Sequence, residues 1–512
     1  MPTYLVLDGS AVSVFDVVGV ARGGRRVELG GGARARVVAA RGVIEAHLAD
    51  GSAHYGINTG FGSLSRVRIA SEDLRALQRN LVRSHAAGVG EGLGVDVVRG
   101  MMVLLAASLA RGMSGVRPVV IEAVLGMLNH GITPVVPSIG SVGASGDLAP
   151  LAHVALCLMG EGVCSGPDGT GAAAAVLAKA GLPTIELEAK EGLALINGTH
   201  LMAARGALLC ADADRLFDAA LAATAMSIDA SRGTDAFLDA RVHAARGQTG
   251  QAWVAERLRA LLAGSEILPS HREDDPRVQD PYSLRCSPQV LGAAWDCVGY
   301  VKRIVEAELG GVTDNPLVFA DAQRGTAGEG RAIVSAGNFH GMPLAIPLDS
   351  LAIALSHVAG ISERRVFWML SATDRESHLE PYLAAGKPGL NSGLMIAQYT
   401  AAACCNELIG LATPASVANL STSAGIEDYN SFGPRSAAKA ARGMELAELV
   451  VAIELFCAAE GLERHRPLRS GAGVERAYEV VRSAVPRLIG DRPIGEDIER
   501  VAGLVRAGRF SA

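Results

Sequence analysis

From about residue 41 onward, apolar side chains recur at three- and four-residue intervals over stretches too long for strands. Asp73 to His85, Arg117 to His130, Leu291 to Leu309, Leu344 to Leu370, Ser392 to Leu411 and Arg435 to Glu463 combine that spacing with strong helix formers and predict long helices. Several of these segments are apolar on more than one face, which predicts a buried bundle packed on several sides and a homo-oligomer. Residues 1–40 differ: short strand-like runs broken by Gly23-Gly24 and by Gly30 to Gly32 predict a small mixed α/β part. The expected fold class is mainly α, with a long central helical bundle. Three divisions are expected, 1–200, 201–463 and 464–512, the last opening at Gly461 to Gly473.

Between the helical runs lie polar, Gly-, Asn- and Pro-rich stretches at 55–63, 138–150, 197–200, 270–288, 311–316, 335–343, 387–393 and 423–434. Function tends to reside in such loops. Gly162 to Gly171 reads as an exposed turn between helices. The net charge of −6, with both signs mixed along the chain and no basic tract, leaves no electrostatic footprint for nucleic acid. The start, MPTYLVLDGS, lacks a charged region followed by a long apolar run, and Glu and Arg break the later apolar runs before they span a bilayer. The expectation is a cytoplasmic protein with no membrane partner.

The cysteines Cys157, Cys164, Cys210, Cys286, Cys297, Cys404, Cys405 and Cys457 sit in apolar contexts without a CxxC pair, so they read as core residues and no metal is expected. Lysine is sparse beside arginine, leaving few candidates for a Schiff base.

The stretch Ser138 to Pro150, SIGSVGASGDLAP, crowds small residues before a helix expected from Leu148, with Asp147 at its N-cap and Pro150 in its first turn. Attack of the Gly146 nitrogen on the Ala144 carbonyl would close a five-membered ring. Loss of water from that ring and from Ser145 would leave a conjugated methylidene, a strong electrophile. Glycine suits the attacking position because it has no Cβ, and the following helix N-terminus favours developing negative charge. The same residues also fit an ordinary glycine-rich cap.

This stretch resembles the signature of the aromatic amino acid ammonia-lyases, which make a 4-methylidene-imidazole-5-one group from Ala-Ser-Gly. YGINTGFG at Tyr55 to Gly62, NLVRSHAAGVG at Asn80 to Gly90, EGLALINGT at Glu191 to Thr199, VQDPYSLRCSPQV at Val278 to Val290, TDNPL at Thr313 to Leu317, GNFHG at Gly337 to Gly341 and GLNSGLMIAQ at Gly389 to Gln398 are similar to blocks of the histidine branch, in the same order. The resemblance implies a fumarase/aspartase-like architecture, with the prosthetic-group loop in the N-terminal division. It also implies a homotetramer with shared active sites, and a cofactor built from Ala144, Ser145 and Gly146 with no external one.

It further implies roles. Tyr55 matches the base that takes the β-proton; a free tyrosine has a pKa of about 10, so the site must favour phenolate. Asn197 matches the amide that touches the prosthetic ring and the substrate amine. Gln279, Tyr282 and Arg285 recur every third residue, so one turn would put them on one side. Arg285 matches the clamp for the substrate carboxylate, a task to which a guanidinium fork is suited. Phe339 and Asn315 match residues that line and brace the site. Isolated from their motifs, each of these is as readily a packed ring, a salt bridge or a loop cap.

Substrate choice rests on Ser84-His85, which in the family accompanies histidine, and on Met395 and Glu427. An imidazole has one donor and one acceptor nitrogen, so His85 and Glu427 are sensible partners. The expected reaction converts L-histidine to trans-urocanate and ammonia. Departures cluster near the pocket: Ile426 stands where Gln is usual, Tyr429 where His is, His200 where Gln is and Met342 where Glu is. Another aryl substrate, or a 2,3-aminomutase outcome, would use the same core residues. An inactive scaffold would require loss of Ser145 or Tyr55, and both are present. The fumarase and argininosuccinate lyase group lacks support, since no GSSxMPxKxN-like loop occurs.

Overall fold

The computed structural model describes residues 4–49, 56–60, 62–64, 66–273, 275–321, 332–387 and 389–511. Tyr55 therefore lies outside the described residues. The chain is mainly helical, and every helix expected from periodicity is present: Leu74–His85, Pro118–Asn129, Ser287–Leu309, Met342–Ser371, Met395–Leu411 and Gly433–Leu462. Their ends differ from the expected ones by a few residues, because caps and turn residues, not apolar spacing, set termini.

Two compact units are distinguished: Met1–Leu208, Lys302–Leu348 and Ala415–Ala438 form one, and Leu209–Val301, Asp349–Pro414 and Lys439–Ala512 the other. In the first, the mixed N-terminal part is a parallel pair, Tyr4–Leu7 with Arg26–Leu29, joined by the helix Val14–Ala21. Ser13 and Asp16 form a capping box at the start of that helix, satisfying two orphan N–H groups. Ala40, Ile44, Ile57, Leu74, Ala189 and Val318 make a buried cluster that joins five separate parts of the sequence. The strand Val89–Gly92 pairs antiparallel with Pro137–Ile139, and that second strand feeds the loop before the helix Leu148–Leu158.

The stretch Gly162 to Gly171 is not a bare turn. It forms a hairpin, Val163–Gly166 with Gly169–Ala172, extended by Thr133–Pro134 into three strands. Pro167 and Asp168 supply the turn chemistry and the buried Cys164 anchors one face.

In the second unit, Trp253 stacks on Trp295 at 4.3 Å, and Phe217 packs against the same indole. Arg365 and Glu454, both with fully buried side chains, form a two-pronged pair at 2.5 and 2.8 Å. Ser227 donates to Glu454 at 2.7 Å, and the Ser287 hydroxyl lies 3.3 Å from the guanidinium. The helix Met342–Ser371 is less interrupted by charge than expected. By length and composition it could cross a membrane, but 67% of its most apolar window is buried in the protein. All eight cysteines are unpaired; four are buried and four half-buried.

Candidate active site

In the loop after Pro137–Ile139, Gly143 and Gly146 have φ of +70° and +71°, a region that strains any residue with a Cβ. A Cβ on Gly146 would collide with the Gly198 carbonyl, and one on Gly143 with the Ser431 hydroxyl. The approach of Gly146 to Gly198 is a parallel β-bridge: Asp147 N donates to Gly198 O at 2.7 Å and Gly198 N to Ser145 O at 3.4 Å. Ala144 is buried and Ser145 half-buried. The Ser145 hydroxyl donates to Glu427 Oε1 at 3.4 Å, and Thr422 Oγ1 donates to Glu427 Oε2 at 3.0 Å.

Asp147 stands at the N-cap of the helix it precedes, its carbonyl taking Leu151 N at 3.0 Å, but its side chain does not bond that helix. Its carboxylate accepts from Leu201 N at 2.9 Å and Met202 N at 3.2 Å, and so caps the helix His200–Ala230 instead. The parallel bridge brings the start of that second helix to Asp147, and its orphan N–H groups take the charge. Burial pushes the Asp147 carboxyl up to about 7, opposed by these hydrogen bonds and by Ser141. His200, on the same first turn, is wholly buried with neither ring nitrogen hydrogen-bonded among the described residues. Burial lowers its pKa to about 4, so the ring is neutral.

The INGT and TDNPL motifs interlock. Asn197 Nδ2 donates to Asn315 O at 3.1 Å and to Asp314 Oδ1 at 3.4 Å; Thr199 N donates to Thr313 Oγ1 at 3.2 Å. Asn315 reaches onward, donating to Ser335 Oγ at 3.2 Å and accepting from Ala336 N at 2.7 Å, which braces the segment carrying the half-buried Phe339.

The 423–433 block lies directly against the prosthetic-loop candidate. Ser431 Oγ donates to Gly143 O at 3.0 Å and Phe432 N to Val142 O at 2.9 Å. Its unusual residues Ile426 and Tyr429 are 66% and 64% exposed. His85 ends the helix Leu74–His85. Its Nδ1 donates to Leu81 O at 2.9 Å, which leaves Nε2 as the acceptor nitrogen.

Tyr282, Arg285, Gln279 and Met395 belong to the second unit. Tyr282–Arg285 is a single helical turn, and the Arg285 guanidinium stacks over the Tyr282 ring at 4.5 Å while Nε donates to Asp280 O at 2.9 Å. Tyr282 is 70% exposed; Gln279 is exposed in the irregular segment before the turn. Met395 opens the helix Met395–Leu411, half-buried. Among the described residues no cluster of three or more His, Cys, Asp or Glu side chains could hold a metal.

Two residues of consequence escape a reading by sequence. Lys190 Nζ and Asp314 Oδ2 form an ion pair at 2.6 Å with side chains 0% and 3% exposed. Lys190 directly precedes the EGLALINGT block and Asp314 lies within TDNPL, but no spacing rule joins residues so far apart.

The aromatic amino acid lyase family model matches residues 12–483. A histidine ammonia-lyase of Anaeromyxobacter dehalogenans is 48% identical over 512 residues, covering 98% of this chain and 99% of that protein. The crystal structure of histidine ammonia-lyase from Trypanosoma cruzi superposes with a TM-score of 0.90 at 39% identity, covering 99% of this chain and 94% of the other. Tyrosine aminomutase from Streptomyces globisporus does so with a TM-score of 0.91 at 34% identity, covering 99% and 97%. The fold is thus the one shared by these lyases and aminomutases, and with a family match over nearly the whole length and relatives this similar, the chain belongs to the aromatic amino acid lyase family.

Proposed function

We propose that this enzyme is a carbon–nitrogen lyase that removes ammonia from L-histidine to give trans-urocanate, using a 4-methylidene-imidazole-5-one made from its own Ala144, Ser145 and Gly146. The observation that carries the proposal is the Gly146–Gly198 bridge. It holds the Ala-Ser-Gly turn in a conformation open only to glycine at 146, with the Ser145 hydroxyl on a carboxylate. The residues fit the group: the peptide nitrogen that must attack carries no Cβ, and the hydroxyl that must leave has a hydrogen-bonding partner.

When present, that group supplies an electrophile for the substrate amine and makes it a better leaving group. The rest falls to the chain. Arg285 holds the carboxylate through its guanidinium fork, with Gln279 and Tyr282 on neighbouring positions of the same segment. Tyr55 removes the β-proton, and Asn197 orients the amine. Glu427 accepts from one imidazole nitrogen while His85, Phe339 and Met395 line the ring. The reading includes a homotetramer with shared sites and a cytoplasmic location. Exposed apolar residues such as Ile396, Tyr399 and Ile409 on one helix suit the first, and eight unpaired cysteines suit the second.

A second reading, a 2,3-aminomutase, is favoured by Ile426 and Tyr429 in the block against Ser145 and by the likeness to an aminomutase fold. One experiment separates them. Purified protein is given single aromatic amino acids while near-UV absorbance, ammonia and β-amino acid are followed, with Ser145→Ala as control. Urocanate and ammonia from histidine, lost in the control, is the expected result. A β-amino acid product moves the chain to the mutases, and no turnover without loss of two waters at 144–146 ends the enzyme reading.

A further inference from the structure

Lys190 is an unusual residue for its position. Its side chain is fully buried, and its backbone has φ of +77°, which is costly for any residue with a Cβ. It stands immediately before the six-residue helix Glu191–Ile196, and Asn197 follows directly after it. Both ends of this short helix are tied to one segment, residues 313–315. Lys190 Nζ is on Asp314 Oδ2 at 2.6 Å, and Asn197 Nδ2 is on Asp314 Oδ1 and on Asn315 O. Asp314 Oδ1 also takes Asn315 N at 2.6 Å.

A buried ion pair is weak evidence for stability, since an apolar pair of similar volume often serves as well or better. Its value must lie in what the carboxylate does next. Both N–H bonds of Asn197 face acceptors, a carboxylate and a carbonyl. Turning the amide over would press its oxygen against both, so the charge on Asp314 selects one of two nearly isosteric orientations. In that orientation Oδ1 is left as the acceptor of the amide, and no donor to it is seen among the described residues. Lys190, on the other Asp314 oxygen at 2.6 Å, anchors that carboxylate where Asn197 meets it.

We propose that the Lys190–Asp314 ion pair is a positioning element for the elimination, fixing Asn197 as a hydrogen-bond acceptor next to the Ser145–Gly146 turn. An acceptor there holds an incoming amine by its N–H bonds and leaves the lone pair available, whereas a donor would compete for that lone pair. The inference rests on the ammonia-lyase reading and on Gly198, the neighbour of Asn197, being bridged to Gly146.

The test is the charge-neutral double variant Lys190→Met/Asp314→Asn, assayed with and without Asn197→Ala. In the neutral-pair protein kcat falls at least about tenfold while KM stays within about threefold, and the 144–146 peptide still loses two waters. Asn197→Ala costs on the order of 100-fold in kcat in the unaltered protein but less than about threefold in the neutral-pair background, because the amide is already misoriented. Unchanged kcat in the neutral-pair protein, or two additive losses, overturns the proposal. Should the double variant fail to fold, Asn197→Asp sets carboxylate against carboxylate and abolishes turnover, and adding Asp314→Asn restores at least about tenfold of it; no restoration overturns the proposal. Normal turnover in the unaltered protein with no effect in the variants defeats this inference alone, whereas an unaltered protein without turnover defeats the lyase reading and the inference with it.

Discussion

Ser145 and Glu427, 282 residues apart, meet through a 3.4 Å hydrogen bond from hydroxyl to carboxylate, and Thr422 fixes the other carboxylate oxygen. Glu427→Gln keeps the shape but removes the charge that an imidazolium or imidazole N–H would seek. Its kcat/KM for histidine should fall on the order of 100-fold, with the mass of the 144–146 peptide unchanged from the parent. A parent-like kcat/KM would remove Glu427 from substrate recognition.

Gly146→Ala should leave the turn unable to close. The added methyl meets the Gly198 carbonyl, and φ of +71° adds about 1–3 kcal/mol of strain. Urea unfolding should show that loss, and peptide mass analysis should find both waters retained and turnover absent.

His200 gives a pH signature whose sign follows from its buried neutral ring. The folded pKa of about 4 lies below the ordinary 6.5, so in that window the unfolded chain binds the extra proton and stability falls as pH drops. Asp147, raised to about 7, acts oppositely, losing stability as pH rises from its ordinary value of 3.8 toward 7. Comparing His200→Gln with the parent isolates the first. The variant should gain about 2–3 kcal/mol relative to the parent between neutral pH and about pH 4.5, read from urea midpoints. A constant difference across that range would show that the ring takes up its proton in the fold as readily as in the unfolded chain.

Arg365→Leu leaves the Glu454 carboxyl without its partner in a fully buried place and should cost about 3–5 kcal/mol, whereas Arg365→Leu with Glu454→Leu should recover most of it. Thermal unfolding of the three proteins decides this, and equal losses in single and double variants would assign the cost to packing.

Much of the fold was legible because apolar periodicity survives along helices such as Leu74–His85 and Pro118–Asn129, where burial alone dictates residue type. The hairpin at Val163–Ala172 was not, since its strands are four residues each and glycine-rich, below the length at which alternation can be seen. At the site, the Ala144-Ser145-Gly146 turn announced itself by its lack of side chains, and the association of Tyr282 with Arg285 by its spacing. Asp147 holds the expected N-cap position, but the partner of its carboxylate is not readable from the next residues in sequence, since the helix that carboxylate serves begins fifty-three residues later. Lys190 and Asp314 were invisible for the same reason: an ion pair is a property of the folded chain, not of either motif.

The bridge between Gly146 and Gly198 also orders events in time. A nascent chain that ends before residue 198 lacks half of the clamp that bends Ala144-Ser145-Gly146, so on the proposed chemistry no reactive group arises on it. The electrophile then appears only after its own enclosure exists, and the missing 36 mass units at that peptide become a permanent receipt that the molecule once reached its native fold.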